Sequence, residues 1–90
     1  MDSTLEINIL YCGGWGYKRF VVSLTEALQK LFPGRLVITS TQDQRNTGNF
    51  EVTIVKTGEL IHSKRNGMGK CEPATAERDA LIALIRQKLT

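Results

Sequence analysis

The stretch Ile7 to Phe20, INILYCGGWGYKRF, decides the fold: an apolar run breaks into a glycine-dense turn holding one cysteine and then enters an amphipathic pattern. An apolar β-type run interrupted by Gly13, Gly14 and Gly16 ahead of a helical period reads as strand, loop, helix. Cys12 falls at the strand's carboxyl end. Free backbone N–H groups at a helix start favour negative charge, so a thiolate there is stabilised and its pKa lowered, with Lys18 and Arg19 close in sequence. The alternative for Cys12 is a small buried hydrophobe. Glycine crowding at the junction favours an exposed, activated thiol.

Upstream, Leu5, Ile7 and Ile9 alternate with Glu6 and Asn8, which predicts a strand interior to a sheet. Downstream, Phe20, Leu24, Ala27, Leu28 and Leu31 share one helical face, and Pro33 and Gly34 stop the helix. Leu36 to Ile38 then reads as a short buried strand parallel to the first, completing a right-handed β-α-β unit. Thr39 to Asn49, TSTQDQRNTGN, is polar without period and is expected to be a mobile surface connection that approaches the site. Phe50, Val52 and Ile54 alternate with Glu51 and Thr53, and the run Leu60 to His62 follows Thr57 and Gly58, which predicts a hairpin. Arg65 to Glu72 is a glycine- and charge-rich loop. Pro73 to Leu89 reads as a second helix with Ala80, Leu81, Leu84, Ile85 and Leu89 on its apolar side. The derived order is β-α-β-β-β-α, an α/β chain of four strands and two helices, without repeats, linkers or low-complexity segments.

Ninety residues are one domain's length, spanning 1–90, with room for one core and one site. Composition is that of a globular chain, at 41% hydrophobic and 23% charged residues. MDSTLEINIL has no basic segment ahead of a long apolar one, so neither a signal peptide nor a membrane span is expected, and the default compartment is the cytoplasm. Two cysteines, Cys12 and Cys71, are too few for a disulfide scaffold, and with the single His62 too few for a zinc site. A net charge of +3 is only mildly basic. Its basic residues are dispersed, without the aromatic interleaving of single-strand binders, so no nucleic acid partner is expected. The GGWG loop breaks the dinucleotide fingerprint at its last glycine and lacks the G-K-[ST] of a P-loop. Lys18, Arg19, Lys64, Arg65 and Lys70 form either a basic surround suited to carboxylates or a solvated rim. Cys71, ahead of the second helix, reads as an incidental reduced thiol, and His62, alone on a hairpin strand, as structural.

YCGGWGYK resembles the YCGxUGYK segment of the selenoprotein W family, in which U is selenocysteine or is replaced by a second cysteine. FPGRL at 32–36, TG-x-FEV at Thr47 to Val52 and LIHSK-x-x-G-x-G at Leu60 to Gly69 match the same family in the same order. The resemblance covers nearly the whole chain and implies a thioredoxin-like fold. It also implies a cytoplasmic thiol or selenol redox protein, monomeric, with no bound cofactor and with glutathione as reductant. Reported association of that family with 14-3-3 proteins makes a second class concrete, a docking module without chemistry. By the same resemblance Cys12 and position 15 are the catalytic pair, and Gly13, Gly14, Gly16, Thr47, Gly48 and Phe50 line the site. Gly48 would let a substrate backbone approach, and Phe50 would cover the thiol.

The chain departs from the pattern at Trp15. A pair two residues apart attacks an oxidised sulfur with one atom and displaces it with the other, and indole does neither. If the family's second position attacks, this chain has lost its nucleophile; if Cys12 attacks, it needs glutathione or another thiol to finish. Two origins of Trp15 stay open. It is a genuine tryptophan, or it replaces a selenocysteine, whose UGA codon is one base from UGG.

Overall fold

A computed structural model describes residues 4–14, 16–45, 47–64, 67 and 75–89. Its elements are β1 (Leu5–Tyr11), α1 (Lys18–Leu31), β2 (Leu36–Gln42), β3 (Phe50–Ile54), β4 (Leu60–Ser63) and α2 (Ala76–Lys88). They make one four-stranded sheet in the order β2-β1-β3-β4, with β1 parallel to β2 and antiparallel to β3, and β3 antiparallel to β4. This is the thioredoxin-like β-α-β-β-β-α arrangement, with β1 interior as its apolar alternation predicts.

Period-two alternation sends Ile7, Ile9 and Tyr11 of β1 and Phe50, Val52 and Ile54 of β3 to one face. There they join Val21, Leu24 and Leu28 of α1 and Leu81 and Ile85 of α2 in a single core. Each such side chain, fully removed from water, contributes about 1.5–3 kcal/mol before entropy is counted. The other face keeps Glu6 and Thr39 in solvent, and Asn8 donates from its amide to the hydroxyls of Thr39 (3.0 Å) and Thr41 (3.1 Å).

Two expectations change here. β2 is not a short buried strand: it runs seven residues at the sheet edge, with Val37 48% exposed. Leu36 and Ile38 share the face of Leu5 and Ile7, while Val37 lies beside Glu6 on the open side. The polar residues Thr39 to Gln42 belong to the strand because each pairs with a residue of β1, from Asn8 with Thr39 to Tyr11 with Gln42. Threonine's branched side chain suits this half-exposed edge. Only the segment 43–49 remains between β2 and β3, and in it Asp43, Arg45, Thr47 and Asn49 are tied down by hydrogen bonds described below.

The second helix begins at Ala76, three residues later than its apolar pattern suggests, because Thr75 caps it by accepting the Arg78 N–H at 3.3 Å. Glu77 and Asp79 in its first turn and Arg86 and Lys88 in its last complement the helix dipole. Thr75→Ala is expected to cost about 1 kcal/mol, lowering the melting temperature by about 4–8 °C in thermal unfolding. An unchanged melt would show that the cap contributes nothing.

Candidate functional site

β1 and β2 end side by side, and β3 begins next to them, so three strand ends frame Cys12. Its N–H donates to the Asn49 carbonyl (2.8 Å), the Gly13 N–H to the Arg45 carbonyl (3.2 Å), and the Asp43 N–H to the Tyr11 carbonyl (2.8 Å). Gln42 closes the other side, its amide Nε2 donating to the Gly13 carbonyl at 3.2 Å. The β2–β3 loop is therefore laced onto the cysteine turn. An Asp43 carboxylate oxygen holds it in shape, accepting the Thr47 hydroxyl at 2.7 Å and the Asn49 amide at 2.9 Å.

The lacing depends on Gly13. A Cβ at this position would stand 2.0 Å from the Asp43 carbonyl oxygen, so no side chain fits between the two backbones. Gly48 serves differently, with φ at 71°, a left-handed conformation that side chains resist. It turns the loop so that backbone N–H groups face the sulfur.

Cys12 is 1% exposed, which corrects the expectation of an exposed thiol. Folding the loop onto Gly13 covers it. An opening remains, a cleft of about 90 Å³ lined by Tyr11, Cys12, Gly13, Gly14, Gly16, Tyr17, Lys18 and Gln42.

Burial pushes the thiol pKa up, but the backbone N–H groups of Gly14, Gly48 and Thr47 outweigh it, and the net shift is downward despite the nearby Asp43 carboxylate. Of these, Gly14 donates to Sγ at 3.4 Å. The lowering has the expected direction and a different source. Its donors belong to the cysteine turn and to a loop about thirty-five residues away, not to the start of α1, and neither Lys18 nor Arg19 contributes. Because the folded pKa is depressed, the thiolate adds stability that is fully present above the unfolded cysteine pKa. That stability is lost as pH falls through the folded value.

Asp43→Asn keeps an acceptor for Thr47 and Asn49 and removes the opposing charge, so the Cys12 pKa is expected to fall further. The midpoint of alkylation rate against pH, measured on both proteins, tests this; a rise would show that the carboxylate's charge is not what acts on the sulfur.

The other expected site residues divide. Lys18 lines the cleft, whereas Arg19 is exposed with its guanidinium 4.9 Å from the centre of the Phe20 ring. Lys64 is half-buried at the end of β4, where its N–H donates to Glu51 at 2.9 Å, away from the cleft. Phe50 is fully buried, edge-on to His62 with ring centres 6.1 Å apart, in the same core as Cys12. His62 is 2% exposed and stands across from Val52, a structural position as expected. Trp15, Arg65, Lys70 and Cys71 lie outside the described residues. Gln42, Asp43, Arg45 and Asn49 were missed, hidden in a polar segment without period. The signal was the spacing of Asp43, Thr47 and Asn49, short polar side chains able to brace a turn.

Among the described residues no helix is long and apolar enough to cross a membrane, and no group of three or more His, Cys, Asp or Glu side chains is placed to hold a metal. The Rdx family model matches residues 6–87. This chain belongs to the Rdx family. Its relatives include selenoprotein W of Gallus gallus, 39% identical over 85 residues that make up 94% of this chain and 96% of that protein. Selenoprotein W of Mus musculus is 38% identical over 80 residues, 89% of each chain. Among solved structures, a selenoprotein W-related protein from Vibrio cholerae superposes with a TM-score of 0.73 over 97% of this Rdx-family chain and 99% of its own, at 18% identity. That likeness shows the fold. A redox-type role is consistent with membership of the family, and this member's described sulfur is the Cys12 thiol.

Proposed function

We propose that this Rdx-family protein is a cytoplasmic, glutathione-linked thiol exchange protein with an antioxidant role, acting through Cys12. The observation that carries the reading is the amide cradle around Sγ, which favours a thiolate at a cleft too small for a large ligand and open enough for a sulfur atom. The thiolate attacks the glutathione sulfur of a client mixed disulfide. A Cys12–glutathione disulfide forms as the client sulfur leaves as thiolate. A glutathione thiolate then attacks the glutathione sulfur on Cys12, releasing oxidised glutathione and restoring the Cys12 thiolate. One disulfide is consumed and one is formed, the incoming glutathione thiol being oxidised as the client sulfur is reduced, and no second protein thiol is needed. Lys18 at the cleft mouth suits the glutathione carboxylates.

Incubation with oxidised glutathione followed by peptide mass mapping tests this. The expected result is an adduct at Cys12 that Cys12→Ser abolishes. An adduct confined to Cys71 would overturn the reading.

The burial of Cys12 favours a second reading, in which the fold serves as a docking module for a regulatory partner such as a 14-3-3 protein. An inert Cys12 together with intact partner binding would decide for it.

A further inference from the structure

The β2 edge is unprotected. Seven residues run without proline, charge or bulge from Leu36 to Gln42, whereas natural edge strands carry such features to prevent strand addition. The register fixes which backbone groups are free. Leu5 N–H donates to the Arg35 carbonyl and Asp43 N–H to the Tyr11 carbonyl, so in this parallel ladder residues 37, 39, 41 and 43 turn toward β1. Residues 36, 38, 40 and 42 turn outward. The Leu36 carbonyl accepts from the Gln29 amide at 3.2 Å, which leaves the N–H and C=O of Ile38, Ser40 and Gln42 facing away from the sheet. Among the described residues no strand pairs with β2 on that side.

Beside this edge lies a groove of about 240 Å³ between α1 and β2. Its apolar walls are Val21, Val22 and Ile38, with Lys18 and Glu26 as its charged residues. Val22 is 46% exposed. Tyr11 and Lys18 line both this groove and the cleft at Cys12, and Gln42 belongs to both the edge and the cleft. A strand laid along the edge would therefore be carried to the thiol.

We infer that β2 is the docking edge for a client protein, which adds an uncharged extended segment as a fifth strand and places an apolar side chain in the groove, delivering its sulfur to Cys12. Backbone hydrogen bonds supply affinity and the groove supplies selectivity for an apolar residue, as in other strand-addition modes. Continuity of the groove with the thiol cleft favours a client segment over a second copy of this chain, whose own cysteine lies buried. The inference rests on the thiol exchange reading for its purpose and not for its geometry.

The test uses a ten-residue peptide of alternating Val and Thr in two forms. One ends in a cysteine held as a mixed disulfide with glutathione, and the other ends in alanine. On a Cys71→Ser background, the alanine peptide is expected to slow hydrogen exchange and shift the amide resonances of Ile38, Ser40 and Gln42. Ser40→Pro removes an outward N–H while leaving the β1 ladder intact. It is expected to abolish those shifts and to slow reaction of Cys12 with the cysteine peptide about tenfold, leaving the rate with oxidised glutathione unchanged. Ser40→Lys, which blocks the edge by charge, should act in the same direction and guards against a proline that disturbs folding. Absence of amide shifts overturns the docking inference. Shifts without reaction at Cys12 keep the docking edge and overturn the thiol exchange reading instead. Amides already protected in the free protein, with concentration-dependent sedimentation, would assign the edge to a second copy and overturn the client.

Discussion

Gly13→Ala is expected to be among the most damaging single-methyl additions in this chain. The new Cβ would meet the Asp43 carbonyl oxygen at 2.0 Å, and both partners are backbone, so neither can rotate away. The β2–β3 loop must lift, giving up the Gly13 to Arg45 hydrogen bond and straining those of Cys12 and Asp43. Overpacking of this kind costs on the order of 3 kcal/mol, which lowers the melting temperature by about 12–24 °C for a chain of this size. Lifting the loop also withdraws the Thr47 and Gly48 amides from the sulfur, so the thiol pKa should rise toward the ordinary cysteine range. Thermal unfolding and pH-dependent alkylation, run on the same samples, read the two effects. A variant that melts and titrates like the parent would show that the two backbones are not in contact.

Trp15→Cys is expected to produce the largest change in chemistry. It restores the two-residue spacing at which a second sulfur can reach a mixed disulfide on Cys12 and release the bound partner. Turnover should then proceed with a dithiol reductant in place of glutathione, and a Cys12 to position-15 disulfide should form under oxidised glutathione. Loss of a packed aromatic side chain costs about 1–3 kcal/mol in general, so melting is measured alongside disulfide reduction. Failure of the folded variant to form that disulfide would mean that the turn does not bring the two positions together.

The readable parts of this fold were those where one residue's chemistry reports its own surroundings. Ile7 and Ile9 alternate because β1 is packed against helices on one face, and Leu24 and Leu28 recur because α1 has one buried stripe. The hairpin announced itself through Phe50, Val52 and Ile54. β2 was misread beyond Ile38 because an edge strand with one solvated face can be polar, and what makes Thr39 and Thr41 strand residues is their pairing with β1, where Asn8 lies 31 and 33 positions away in the chain. The site divides in the same way. Glycine density around Cys12 marked the turn that supplies the Gly14 amide, but the other two amides that lower its pKa belong to Thr47 and Gly48, and burial of the sulfur follows from a loop whose docking no local pattern encodes.

The distant origin of that amide cradle ties reactivity to maturation. A nascent chain synthesised only as far as α1 already contains Cys12 and Gly14 but lacks two of the three amides that lower the thiol pKa, those of Gly48 and Thr47. The share of the lowering that comes from residues 47 and 48 arrives when their loop docks on the cysteine turn. The complete amide cradle around the sulfur is thus a property of the finished fold.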